Sequence, residues 1–169
     1  MGKPAARVAD PTTHMGQPLA PGPGSPNTLI GFMPAWRAVP AAAAAALQAA
    51  KQAADTAIQV AEQARMAASG TPGAPAALAA ETAAKTAAAS SLGAAFAAAA
   101  GPMGPPDIHM CAMPAAPTPV PHGPGVVLQA SMTVVINGLP ACRQGDKVIE
   151  PIGPPNAIVM GCPTVLIGD

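Results

Sequence analysis

The chain has 169 residues, with eight basic side chains balanced by eight acidic ones. With no basic excess and no basic run, the electrostatic footprint of a nucleic-acid-binding protein is missing. Half the residues are hydrophobic but only 2% are aromatic, and alanine dominates the apolar set; burial alone therefore promises a thin core, which a metal or an assembly partner is expected to supplement.

Residues 1–37 are rich in Gly and Pro. The opening MGKPAARVAD has no apolar h-region, so no ordinary signal peptide is expected. Ala6 stands where an N-myristoylation signal needs Ser or Thr. Three cysteines without a leader read as reduced thiols or metal ligands in a protein made in the cytoplasm.

From residue 38 to 100 the chain is Ala-rich with few breakers, and alanine is the strongest helix former. Helices are expected over 41–68 and 75–100, parted by Gly70, Pro72 and Gly73 into an antiparallel hairpin. Lys51–Asp55, Glu62–Arg65 and Glu81–Lys85 stand at i,i+3 or i,i+4, where opposite charges meet on one helix. Leu47, Ala54, Ile58 and Ala61 share one face of the first helix; Leu78, Leu92 and Phe96 share one on the second. A membrane span needs about 20 apolar residues. The uncharged run 86–100 is shorter, Ser90, Ser91 and Lys85 intrude, and no stable membrane insertion is expected.

Residues 101–125 return to Pro and Gly, and from Val126 short β-branched runs alternate with turns. The chain then repeats itself. Ser25-Pro26-Asn27-Thr28-Leu29-Ile30-Gly31 recurs around Ser131–Gly138 and again over Cys162–Gly168. A second block recurs as Pro4-Ala5-Ala6-Arg7, Pro34-Ala35-Trp36-Arg37 and Pro140-Ala141-Cys142-Arg143, with Asp10 following the first and Asp146 the third. After Arg37 the expected aspartate arrives only at Asp107, so the Ala-rich segment is an insertion. A short strand, a turn, PAxR and an Asp make a unit too small to stand alone; three packed about an axis make the smallest plausible solid.

These residues resemble the PAAR-repeat proteins, over residues 1–37 and about 105–169. Two departures are Ala9, where the family has Gly before Asp10, and Pro106 before Asp107. The expected fold is mainly β: a compact conical body with pseudo-threefold symmetry, interrupted by the helical hairpin. The domain division is 1–37 and 105–169 for the β body and 38–104 for the insertion. The resemblance implies a non-enzymatic tip that caps, by its broad base, the trimeric VgrG spike of a type VI secretion system, one copy per spike. It also implies a zinc ion near the point. Before firing the protein would be cytoplasmic, afterwards carried out with the spike. The chain running out at Asp169 leads to the expectation of no C-terminal toxin domain, which leaves the hairpin to take an effector or chaperone. The tip of another contractile injection system or phage-like tail, or a zinc-binding protein or zinc hydrolase unrelated to a spike, are the competing readings.

For the zinc, the sequence points to His14, His109, Cys111 and His122. All three histidines are expected at turns entering a repeat strand, where a threefold body brings distant residues to one vertex. Cys111 stands four after Asp107 as His14 stands four after Asp10. Cys142 belongs to a PAxR block, and Cys162 fills a slot held elsewhere by Ser25 and Ser131, so Cys111 is preferred. Glu150, four after Asp146, is an available but unneeded oxygen ligand. Four protein ligands close a zinc site and favour a structural role. Small side chains and prolines suggest no sizeable cleft.

Overall fold

In the computed structural model, which describes residues 2–101 and 104–168, the three PAxR blocks meet in a closed ring. The Ala6 N–H donates to Cys142 O, the Trp36 N–H to Ala6 O and the Cys142 N–H to Trp36 O, at 2.9, 2.9 and 3.0 Å. Each block thus gives one bond to one neighbour and takes one from the other. Single bridges complete the ring by pairing Ala5 with Arg143, Arg7 with Ala35 and Arg37 with Ala141. Sequence-distant backbone is satisfied in threefold fashion by segments too short to form a conventional sheet.

Beside each block stands its aspartate. The backbone N–H groups of Arg7, Arg37 and Arg143 donate to Oδ2 of Asp10, Asp107 and Asp146 at 2.7, 2.7 and 2.8 Å. The guanidinium of each arginine grips the same carboxylate. Arg37 reaches Asp107 across the whole insertion with the geometry the other two pairs achieve at i,i+3.

The alternation of β structure then sorts side chains into layers. Ala5, Ala35 and Ala141 face a cluster with Ile30, Cys162 and Ile167. Their neighbours Ala6, Trp36 and Cys142 face the other way, into a cluster with Leu19, Val127, Val148 and Ile158. Trp36 is one large side chain beside two small ones. Its Nε1 is the one buried side-chain nitrogen or oxygen without a partner among the described residues.

On the first side lie β1 (Lys3–Ala5) paired with β11 (Cys162–Ile167), and the hairpins β3 (Leu29–Ile30) with β4 (Met33–Pro34) and β7 (Val135–Ile136) with β8 (Leu139–Pro140). On the second side an antiparallel sheet runs β10 (Asn156–Ala157), β9 (Lys147–Ile149), β6 (Pro121–Val127), β5 (Ile108–Pro114) and β2 (Pro21–Gly22). Ala9, the departure noted above, holds φ +68°, as Gly145 holds +86° at the matching place. That left-handed conformation explains why glycine suits the position.

The insertion forms two helices, α1 (Ala41–Ala67) and α2 (Ala74–Ala98), with Pro75 in the first turn of the second. No described helix is long and apolar enough to cross a membrane. Leu47, Leu92 and Phe96 pack on Val126 and Leu128 of the β body, and Ile58 and Ala88 pack on Val120 and Ile152. Leu78, expected on the buried face, is exposed; the stripe that packs is Glu81, Lys85, Ala88, Leu92 and Phe96.

Two of the three expected intrahelical pairs form, Lys51–Asp55 and Glu81–Lys85. Glu62 and Arg65 instead reach across the hairpin, Glu62 to Lys85 and Arg65 to Glu81. Glu81 is fully buried and draws the cations inward, since an unpaired buried charge is far costlier than an unpaired exposed one. Lys85 Nζ also donates to Ala115 O at 3.3 Å, tying α2 to the β5–β6 turn.

Candidate metal centre

From each ring aspartate the chain runs outward with alternate residues buried: Asp10, Thr12, His14; Asp107, His109, Cys111; Asp146, Val148, Glu150. The period of two puts equivalent residues at equal heights. The outermost level is therefore His14, Cys111 and Glu150, and His122 joins it from β6, beside Cys111 through the Cys111–Gly123 pairing.

These four side chains are buried, and their ligand atoms all lie within 4.8 Å of one another. Cys111 Sγ is 3.5 Å from His14 Nδ1 and 3.8 Å from His122 Nδ1. Glu150 Oε2 is 3.2 Å from His14 Nδ1 and 3.0 Å from His122 Nδ1. A tetrahedral ion with bonds of about 2.0–2.3 Å holds its donors roughly 3.3–3.7 Å apart. The cluster could hold a metal ion with little rearrangement.

His109, expected with the other histidines, lies one level deeper. Two strand residues separate it from Cys111 by roughly 6.5 Å of rise, alongside Thr12 and Val148. Its Nδ1 is 2.9 Å from Pro18 O, which makes Nδ1 the protonated nitrogen. Nε2 then faces Glu150 Oε1 and Asn156 Nδ2, each at 3.4 Å. The fourth side chain of the buried cluster is Glu150, with His109 behind it. Nor do His109 and His122 sit in turns: both are strand residues, in β5 and β6. Cys162 lies on the far side of the ring, in the layer with Ile30 and Ile167.

Two supporting residues carried no signal in the sequence. Asn156 donates to Glu150 Oε1 at 2.7 Å, while its Oδ1 accepts from the His14 backbone at 3.2 Å and from Thr13 Oγ1 at 2.8 Å. Gly153 holds φ +91° with its Cα against the His122 ring, where a Cβ would collide. Gly153→Ala is expected to displace His122 and weaken metal binding about tenfold or more, as loss of ligand support does elsewhere; competition with a chelating dye measures it.

Burial pushes the Cys111 thiol up to about 11, with the Glu150 charge adding to it. A bound cation reverses that balance and holds the thiolate. Burial also disfavours charge on Glu150, but the close approach of His109 and the hydrogen bond from Asn156 outweigh it and keep the carboxyl below its usual range. Burial lowers His122 despite Glu150 beside it, favouring the neutral imidazole that binds metals.

The family model of the PAAR motif matches residues 118–169. Residues 118–169 carry a PAAR motif. The match takes in His122, Glu150 and the third PAxR block, and the ring extends the same geometry to the other two blocks. No curated protein and no solved structure matches the chain.

Proposed function

We propose that this protein is the zinc-stabilised tip of a type VI secretion spike, seated by its apolar base on a VgrG-type trimer. One observation carries the reading. On the side of the ring away from the metal cluster, the same repeat position is apolar and exposed three times: Leu29 at 62%, Val135 at 59% and Leu166 at 61%. Phe32 and Met132 on the same hairpin side are more exposed still. A single chain that leaves three equivalent apolar residues in water is fitted to a partner with a threefold axis.

At the other end, His14, Cys111, His122 and Glu150 would hold the zinc, with His109 and Asn156 behind them. Four protein donors leave no open position for a substrate, so the ion would serve to pin strands that a thin core holds poorly. The role is mechanical rather than catalytic. The hairpin is the adaptor element for an effector or chaperone, and the protein resides in the cytoplasm until the spike carries it out.

The test is co-purification with a VgrG-type spike trimer. Wild type is expected to bind. Leu29→Asp and Leu166→Asp are each expected to weaken binding about tenfold or more, because a charge is forced into an apolar interface. Wild type that fails to bind, or a base variant that binds unchanged, overturns the proposal.

A further inference from the structure

The inserted hairpin does more than stand beside the β body. Two clefts run between α1 and the wall of the metal centre. One, of about 470 Å³, is lined by Asp55, Gln59 and Glu62 on the helix and reaches His122. The other, of about 290 Å³, is lined by Gln48, Lys51 and Asp55 and reaches Glu150. Asp55 lines both, and so do Gly153 and Pro154.

Beside the donors runs the segment Pro151–Pro155, whose Gly153 and Pro154 line both clefts. Among the described residues it makes no hydrogen bond with the rest of the chain, and three of its five residues are prolines with no N–H to give. Pro151 and Ile152 are buried, Ile152 at 1% exposure, while Gly153, Pro154 and Pro155 are exposed. A segment so weakly tied opens at low cost, whereas the ringed core around it does not. In that segment Gly153 packs against His122.

We infer that the insertion forms the entry vestibule of the metal centre: a divalent cation reaches and leaves the donors between α1 and the Pro151–Pro155 flap, steered by the carboxylate of Asp55. The inference rests on the metal-binding reading above and adds the route and its control. Asp55 is half exposed and paired with Lys51. Glu62, at the far end of the larger cleft, is paired with Lys85. The vestibule therefore offers paired oxygens that attract a cation without trapping it. Metal turnover at the point would then depend on the helix that also presents the adaptor surface, so a partner covering α1 would lock the ion in.

The test uses full-length, zinc-loaded protein and follows zinc transfer to a chelating dye at concentrations where the rate no longer depends on dye. Gln59→Trp fills the larger cleft, and release is expected to slow about tenfold, the effect of one more buried side chain to be moved during opening. Asp55→Asn removes one charge from the wall of both clefts and leaves Lys51 uncompensated; about fivefold slower exchange is expected. Gln52→Trp, on the outer face of α1, should release zinc at the wild-type rate. Zinc content separates the two readings: wild type without zinc defeats the metal centre itself, and the vestibule with it. One zinc per chain with Gln59→Trp and Asp55→Asn both releasing at the wild-type rate defeats the vestibule alone, as does Gln52→Trp slowing as much as Gln59→Trp.

Discussion

Asp107→Ala is expected to destabilise the protein by about 3–5 kcal/mol, the cost of leaving a buried charge without its partner. Asp107 is fully buried and accepts from the Arg37 backbone at 2.7 Å, from Arg37 Nε and Nη2 at 3.0 and 2.8 Å, and from the Gly24 N–H at 2.8 Å. Arg37 is 3% exposed, and without Asp107 its guanidinium keeps only Gly24 O among these partners. The matched substitution Asp10→Ala provides the scale. The Arg7 side chain is 20% exposed, so water can replace much of what is lost, and about 1–3 kcal/mol is expected. Urea unfolding of the metal-loaded variants measures both. Equal losses at Asp10 and Asp107 would show that burial does not set the strength of these pairs.

Stripping the metal should have a larger effect. Structural zinc contributes on the order of 10 kcal/mol to small domains that fold around it, and this β body has few large side chains to compensate. Chelation is expected to lower the melting temperature by tens of degrees and to abolish the cooperative transition in the strands while the hairpin keeps helical signal. Cys111→Ala should behave as the stripped protein does and be indifferent to chelator. The ligand set is tested in the same way. Glu150→Gln is expected to lose zinc at equilibrium, and His109→Ala to keep it with lower affinity. Full retention by Glu150→Gln with complete loss in His109→Ala would restore the three-histidine set. Cobalt substitution gives a second readout, since thiolate charge transfer and the intensity of the visible bands report both the sulfur and the coordination number.

Much of this was legible in the chain, for identifiable reasons. The PAxR blocks and the D-x-x-x spacing placed the ring and the outer level of donors, and applied evenly the spacing singles out Glu150. The three histidines share a residue type, but strand period sets His109 one level deeper than Cys111. In the hairpin, alanine content and Gly70, Pro72 and Gly73 set the helices to within about two residues at their ends. The Glu62–Arg65 pairing failed because intrahelical spacing says nothing of the facing helix, whose Glu81 and Lys85 compete for the same charges. Gly153 and Asn156 lie in a stretch of prolines with no motif, and their importance arises from contacts that no local pattern encodes. The same holds for the clefts, which exist because the insertion packs beside the point rather than because any residue is large.

The insertion ends as it begins, at almost the same point in space. The Asp107 N–H lies 3.2 Å from Arg37 O, against 3.2 Å for Asp10 to Arg7 and 3.1 Å for Asp146 to Arg143. Residues 38–106 therefore occupy a socket that elsewhere holds only Val8-Ala9 or Gln144-Gly145. The β body closes three equivalent turns around one axis, each with an arginine–aspartate clasp, and one of them carries the insertion. A two-residue turn in its place would give the plain scaffold, and the two short turns, Val8-Ala9 and Gln144-Gly145, mark further positions at which a segment could be inserted without breaking the ring.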